Sequence, residues 1–141
     1  MLNIAIQLIS INAEKLSQAI PPQLNFSVNL TLPSSEPIKK SKQFIIPFTF
    51  SISSNPPIVQ IVLKGNVMVT SDSDSEFKKL SEDIEARRIP VPVVQAVFIN
   101  SIAESILLSR ALGLPPPIPS LPQLIDMSRE VKKDFKQETV I

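Results

Sequence analysis

The sequence predicts an α+β fold: a four-stranded antiparallel sheet covered on one face by a short and a long C-terminal helix. Two observations predict it. Through the first half apolar and polar residues alternate with the two-residue period of strands, and after Thr70 the period becomes helical. The punctuation agrees, because fourteen prolines and only two glycines fall mostly between these segments rather than inside them.

Taking the strands in order, the first runs from about Leu2 to Ile11. Leu2, Ile4, Ile6 and Leu8 share one face while Ile9 and Ile11 shift to the other, which places a bulge or twist near Leu8. In the second, Leu24, Phe26, Val28, Leu30 and Leu32 alternate with Gln23, Asn25, Ser27, Asn29 and Thr31. The third sets Phe44, Ile46, Phe48, Phe50 and Ile52 against Ile45, Pro47, Thr49, Ser51 and Ser53. Pro47 has no donor for a ladder and so marks an edge or a bulge. The fourth sets Val59, Ile61, Leu63, Val67 and Val69 against a wetter row that also holds Ile58, Val62 and Met68. With Ile45, these last three form an apolar patch on the polar side of the sheet. One buried and one wetter face per strand is the pattern of an antiparallel sheet covered on a single side. Pro33 to Pro37 and Asn55-Pro56-Pro57 are turn chemistry, so strands two to four read as a meander. The connector from Asn12 to Pro22 is longer and carries Leu16, Ala19 and Ile20, which suits a crossover better than a tight hairpin.

Ser73-Asp74-Ser75-Glu76 has the spacing of a capping box, with acids near the positive helix end. Phe77, Leu80 and Ile84 follow on one face of a short helix that stops near Arg88, ahead of Pro90 and Pro92. A helix cap accounts for Asp72, Asp74 and Glu76 better than a calcium loop, since no glycine lies among them. The long helix starts at about Pro92 and runs to Leu112, and Gly113 with Pro115-Pro116-Pro117 ends it. Its apolar residues, Val93 to Leu112, exceed the stripe of roughly 100° that one buried face needs. The surplus implies a second contact, and self-association is its simplest source. Residues 114–122 read as extended, near polyproline II. Residues 1–124 form one domain, and 125–141 read as a charged, mobile tail.

The inventory of reactive groups argues against catalysis. There is no His and no Cys in 141 residues, which removes the usual general base, the easiest nucleophile and the usual zinc ligands. Two glycines cannot build a phosphate loop. The expectation is therefore a protein that is not an enzyme and needs no metal or cofactor. Net charge is +1, with five Lys against two acids in residues 1–70 and nine basic against eleven acidic side chains after them. No basic stripe is present for a phosphate backbone, so nucleic acid is not an expected partner. Gln95, Asn100, Glu104 and Arg110 argue against a membrane span in the long helix. The absence of a basic leader at Met1 and the lack of Cys point to the cytoplasm.

Several stretches, in this order, resemble the SecB family of export chaperones. Ile6-Gln7-Leu8-Ile9-Ser10-Ile11-Asn12, with Leu16-Ser17 behind it, resembles the family's opening strand and loop. Gln60-Ile61-Val62-Leu63-Lys64-Gly65-Asn66-Val67 is similar to its fourth strand. Ile89-Pro90-Val91-Pro92-Val93-Val94-Gln95-Ala96-Val97-Phe98 resembles the entry to its long helix, and Gly113-Leu114-Pro115-Pro116 with Leu121-Pro122 resembles the exit. The likeness covers roughly residues 4–124. It departs from the family at Val91, where the family has Cys, and at Phe98-Ile99-Asn100, where the family has a Tyr-Ala-Arg-like run.

The resemblance implies an ATP-independent holdase that keeps unfolded polypeptides in apolar grooves of a dimer or tetramer. The groove candidates are Leu16, Ala19, Ile20, Phe77, Leu80 and Ile84. The oligomer-interface candidates are Val94, Val97, Phe98, Ile102 and Leu108. For Phe77, Leu80 and Ile84 the alternative role is simply the buried face of an amphipathic helix. Family members that hand cargo to the SecA motor use acids on the outer sheet face, and here Glu14 and Glu36 are the only acids before Asp72. A second functional reading is an adaptor whose apolar helix builds an oligomer for one dedicated partner. A small-molecule carrier is a weaker third.

Overall fold

In the computed structural model, residues 2–117 are described. Their elements are β1 (Leu2–Lys15), β2 (Asn25–Thr31), β3 (Ile38–Lys40), β4 (Gln43–Asn55), β5 (Val59–Ser71), α1 (Asp74–Glu85) and α2 (Val91–Ala111). The fold is α+β, with an antiparallel sheet followed by a short and a long helix. The sheet has five strands rather than four. The addition, β3, has three residues and pairs Ile38 with Ile45, too short a run to show a period.

Strand order is β1-β5-β4-β2, with β3 paired to β4 beyond the end of β2. The first strand thus lies beside the last, and residues 16–24 cross the end of the sheet from one edge to the other, as in a Greek key. Leu16 N begins that crossing by donating to the Ile58 carbonyl. The tight β4–β5 turn is held by Ser54, whose Oγ accepts from Ile58 N at 2.8 Å and Val59 N at 3.1 Å.

The predicted bulge is present: Leu8 pairs with Gly65 and Ser10 with Lys64, leaving Ile9 extra. Gly65 is needed there, because a Cβ would meet the Gln7 carbonyl oxygen and lie 3.0 Å from the Phe48 ring. Pro47 is not on an edge strand. β4 lies inside the sheet, and Pro47 falls in the gap between the β2 and β3 pairings. Its carbonyl accepts from Ser34 N at 2.9 Å. In a strand the N–H and C=O of one residue point the same way, so the missing donor faces that gap and no ladder bond is lost.

The core is the inner row of β4 and β5 (Phe44, Ile46, Phe48, Phe50, Ile52, Ile61, Leu63, Val67, Val69) under Leu80, Ile84, Ile89, Val93 and Val97. Ile58 belongs to this core at 5% exposure. It is therefore not part of the outer patch that alternation suggested. Ser73 caps α1, its Oγ accepting from Glu76 N. Both helices end in the same six-residue closure: Arg88 N donates to the Asp83 carbonyl and Leu114 N to the Ser109 carbonyl. The left-handed position is Gly113 in the second closure and Arg87, at φ 62°, in the first. The segment 118–124, its Leu121-Pro122 likeness and the charged tail lie outside the described residues.

Candidate functional site

The six groove candidates fall into two separate groups. Phe77 is half-buried against Phe44, ring centroids 5.5 Å apart. Leu80 and Ile84 are closed into the core. These three are the buried face of an amphipathic helix, and Leu80 and Ile84 offer no surface to a ligand. Leu16, Ala19 and Ile20 are exposed on the crossing connector, Leu16 at 48% and Ile20 at 44%. Leu16 is bonded to Ile58 at one end of β5, whereas Phe44 under Phe77 pairs with Val69 near the other. At about 3.3 Å per residue the two groups stand roughly 35 Å apart along the strand.

Helix α2 packs with an orientation its sequence did not reveal. Its fully enclosed row is Val93, Val97, Ser101, Ser105 and Ser109, one residue every four. Val97 therefore drops out as an interface residue, because it faces its own sheet. Ser105 Oγ donates to the Ser101 carbonyl at 2.8 Å. The buried hydroxyls of Ser101 and Ser109 have no hydrogen-bond partner among the described residues. Three small side chains let the helix settle close to the sheet, and the bulky residues are displaced sideways and outward. Val94, Phe98, Ile102 and Ile106 are half-buried along one flank, and Leu108 on the other. Phe98 meets Phe50 edge-on at 6.1 Å. The outermost row is Ile99, Ala103 and Leu107, with Ile99 68% and Leu107 59% exposed. The sequence counts these three in the apolar surplus of the helix without singling them out as its outer row, although three serines spaced by four were the available signal. By length and composition alone α2 is apolar enough to cross a membrane. In this fold it lays a fully buried row on the sheet.

A second apolar surface lies beyond α2. That helix rests over β1 and β5, and α1 over β5. β2 lies two strands from β5, roughly 10 Å away, and neither helix packs extensively on it. Its inner row, Phe26, Val28 and Leu30, flanked by Leu24 and Leu32, is therefore only half-buried. It forms an open shelf beside the Val94–Phe98–Ile102 flank, with Phe50 between them. Among the described residues, both β1 and β2 also leave one backbone edge without a strand partner.

The opposite sheet face is polar. Its rows run across the strands, as in Asn12–Val62–Ser51–Asn29 and Glu14–Gln60–Ser53–Ser27. One row, Ala5–Met68–Ile45–Ile38, is apolar. Among the described strand residues of this face Glu14 is the only acid. Among the described residues, no group of three or more His, Cys, Asp or Glu is placed to hold a metal ion.

The strand order, the crossing connector and the helices on one face define a SecB-like fold. Among solved structures the chain is similar to the SecB-like chaperone Rv1957 of Mycobacterium tuberculosis, seen in complex with a ChAD peptide from the Rv1956 HigA1 antitoxin. The TM-score is 0.59 at 12% sequence identity, over 82% of this chain and 86% of that one. At that identity the likeness is one of fold. No family model matches this sequence, and no curated protein matches it either.

Proposed function

We propose that this chain is an ATP-independent holdase that binds non-native polypeptides on apolar surface and works as a dimer or tetramer in the cytoplasm. The observation that carries the reading is the amount of apolar surface the fold leaves open on a protomer with a complete core. The β2 shelf is one such surface and the Ile99–Ala103–Leu107 row is another. The first has the form a ligand needs: a half-buried apolar row next to a backbone edge that no described strand covers, which an extended chain can pair with while its alternate side chains rest on the row. The second is a single broad stripe of aliphatic side chains, suited to a permanent contact between copies. The fold neighbour's capture of an antitoxin peptide supports polypeptide binding as the shared theme. A single acid on the outer sheet face supports holding without hand-off to the SecA motor.

The test is light scattering from a chemically denatured model protein diluted into buffer without nucleotide. Substoichiometric tetramer suppresses the aggregation. Unchanged aggregation at several-fold excess discards the holdase reading. The exposed row on α2 equally favours an adaptor, which is selected if one stoichiometric partner co-purifies and generic unfolded peptides do not bind.

A further inference from the structure

The apolar row of β2 leads to a fixed positive charge. β2 and β3 pair with the same side of β4, one beyond the other, because β5 takes its opposite side. Leu30 pairs with Phe50 and Lys39 with Phe44, six residues away on β4 and therefore on the same, inner face. Along this side of the sheet the inner column thus runs Phe26, Val28, Leu30 and then, roughly 20 Å further at about 3.3 Å per residue, Lys39. The lysine is held in place. Its Nζ donates to Ser81 Oγ at 3.0 Å and lies 5.8 Å from the Phe77 ring centroid and 5.9 Å from that of Phe44. Among the described residues no carboxylate forms an ion pair with it, whereas Lys42 of the same hairpin has Asp74 at 3.6 Å. An ammonium carries three donors, and Ser81 takes one. Because the side chain is already ordered, accepting a carboxylate costs it little further rotamer freedom.

The surrounding sequence leaves this charge to act alone. Residues 16–35 carry no charged side chain, and Glu36 is the only acid between Leu16 and Ser71. An inward-facing lysine also bars a new strand from pairing along β3. A ladder built on β2 therefore stops at the end of β2, and beyond it only a side chain of the bound segment meets Lys39. Antiparallel pairing, the more stable mode per residue, puts the N-terminal side of that segment at the β3 end. We propose that the polypeptide segment held on the β2 shelf is an alternating apolar stretch preceded by an acidic residue, whose carboxylate Lys39 binds. This rests on the reading of the shelf as a polypeptide site and names the class of segment it selects.

The test uses the full chain and two fluorescein-labelled peptides that share an alternating Leu-Ser stretch. They differ only in carrying Glu or Gln about six positions ahead of it, the separation of Phe44 from Phe50. By fluorescence anisotropy at low salt the Glu peptide is expected to bind at least threefold more tightly, an advantage that salt screens. Lys39→Met keeps an aliphatic stem on the two rings and abolishes the preference. Lys40→Met removes the same charge from the opposite sheet face and preserves it. Equal binding of the two peptides overturns the proposal. So does a preference that survives Lys39→Met, or one that both variants lose alike. If neither peptide binds, the proposal is overturned, and light scattering with the same protein shows whether the holdase reading falls with it. If the Glu preference holds but aggregation is unchanged, the site stands and the holdase reading falls.

Discussion

Helices α1 and α2 follow one another in the chain, lie on the same sheet face and obey opposite rules. α1 turns Leu80 and Ile84 inward and keeps Lys78, Lys79, Glu82 and Glu85 in solvent. Its packing is finished within the protomer. α2 turns three serines inward and leaves Ile99 and Leu107 largely exposed. Its inner row is chosen for size, since small side chains permit close approach, and its outer row is left for something else to cover. The difference teaches that apolar content alone does not say which face of a helix meets its own core.

The comparison breaks most visibly if charge is placed on the outer row. Ile99→Asp with Leu107→Asp is expected to leave the circular dichroism of the protomer intact. The solution mass falls from that of an oligomer to that of a 15.5 kDa chain. An unchanged mass would show that α2 is not the contact between copies. A smaller but still large effect is expected on the other helix. Leu80→Ala empties a core position and costs about 2–5 kcal/mol in urea unfolding, with no change in assembly. Ser101→Ala sharpens the contrast from the inside. It removes a buried hydroxyl without a partner and adds helix propensity, so unfolding free energy rises by about 1–2 kcal/mol. A loss of that size instead would reveal a hydrogen bond for Ser101. The smallest expected effect is at the end of α1, where Arg87 holds the left-handed position. Arg87→Gly relieves this and raises stability by roughly 1 kcal/mol, read as a small upward shift in Tm.

Much of the sheet was legible because β4 and β5 alternate with few exceptions, and burial follows that alternation residue by residue. β3 was not, since three residues carry no period. Pro47 was misplaced because sequence shows the missing donor but not which neighbour it faces. α2 was legible as a helix and as a surplus of apolar surface, yet its orientation was hidden because bulky residues surround it on most sides. The candidate site was legible only in part. Leu16, Ala19 and Ile20 are exposed as a binding surface requires, whereas Leu80 and Ile84 share their apolar character but lie in the core. The β2 row reads in sequence as ordinary core. What leaves it half-open is the position of the helices over β1 and β5, which is set by tertiary contacts.

The placement of β1 beside β5 has a consequence for how the chain is made. Leu2 pairs with Ser71 and Lys15 with Val59, so β1 has no ladder partner until β5, made after it, has emerged. From Leu2 to Ala13 that strand contains no charged residue and no proline, the features that normally keep a lone strand from pairing with the wrong chain. Closing so distant a ladder is slow compared with local hairpins and helices. During every round of translation, this polypeptide therefore spends time as an unpaired, uncharged, aggregation-prone strand, and shielding nascent β1 should raise its yield of folded protein.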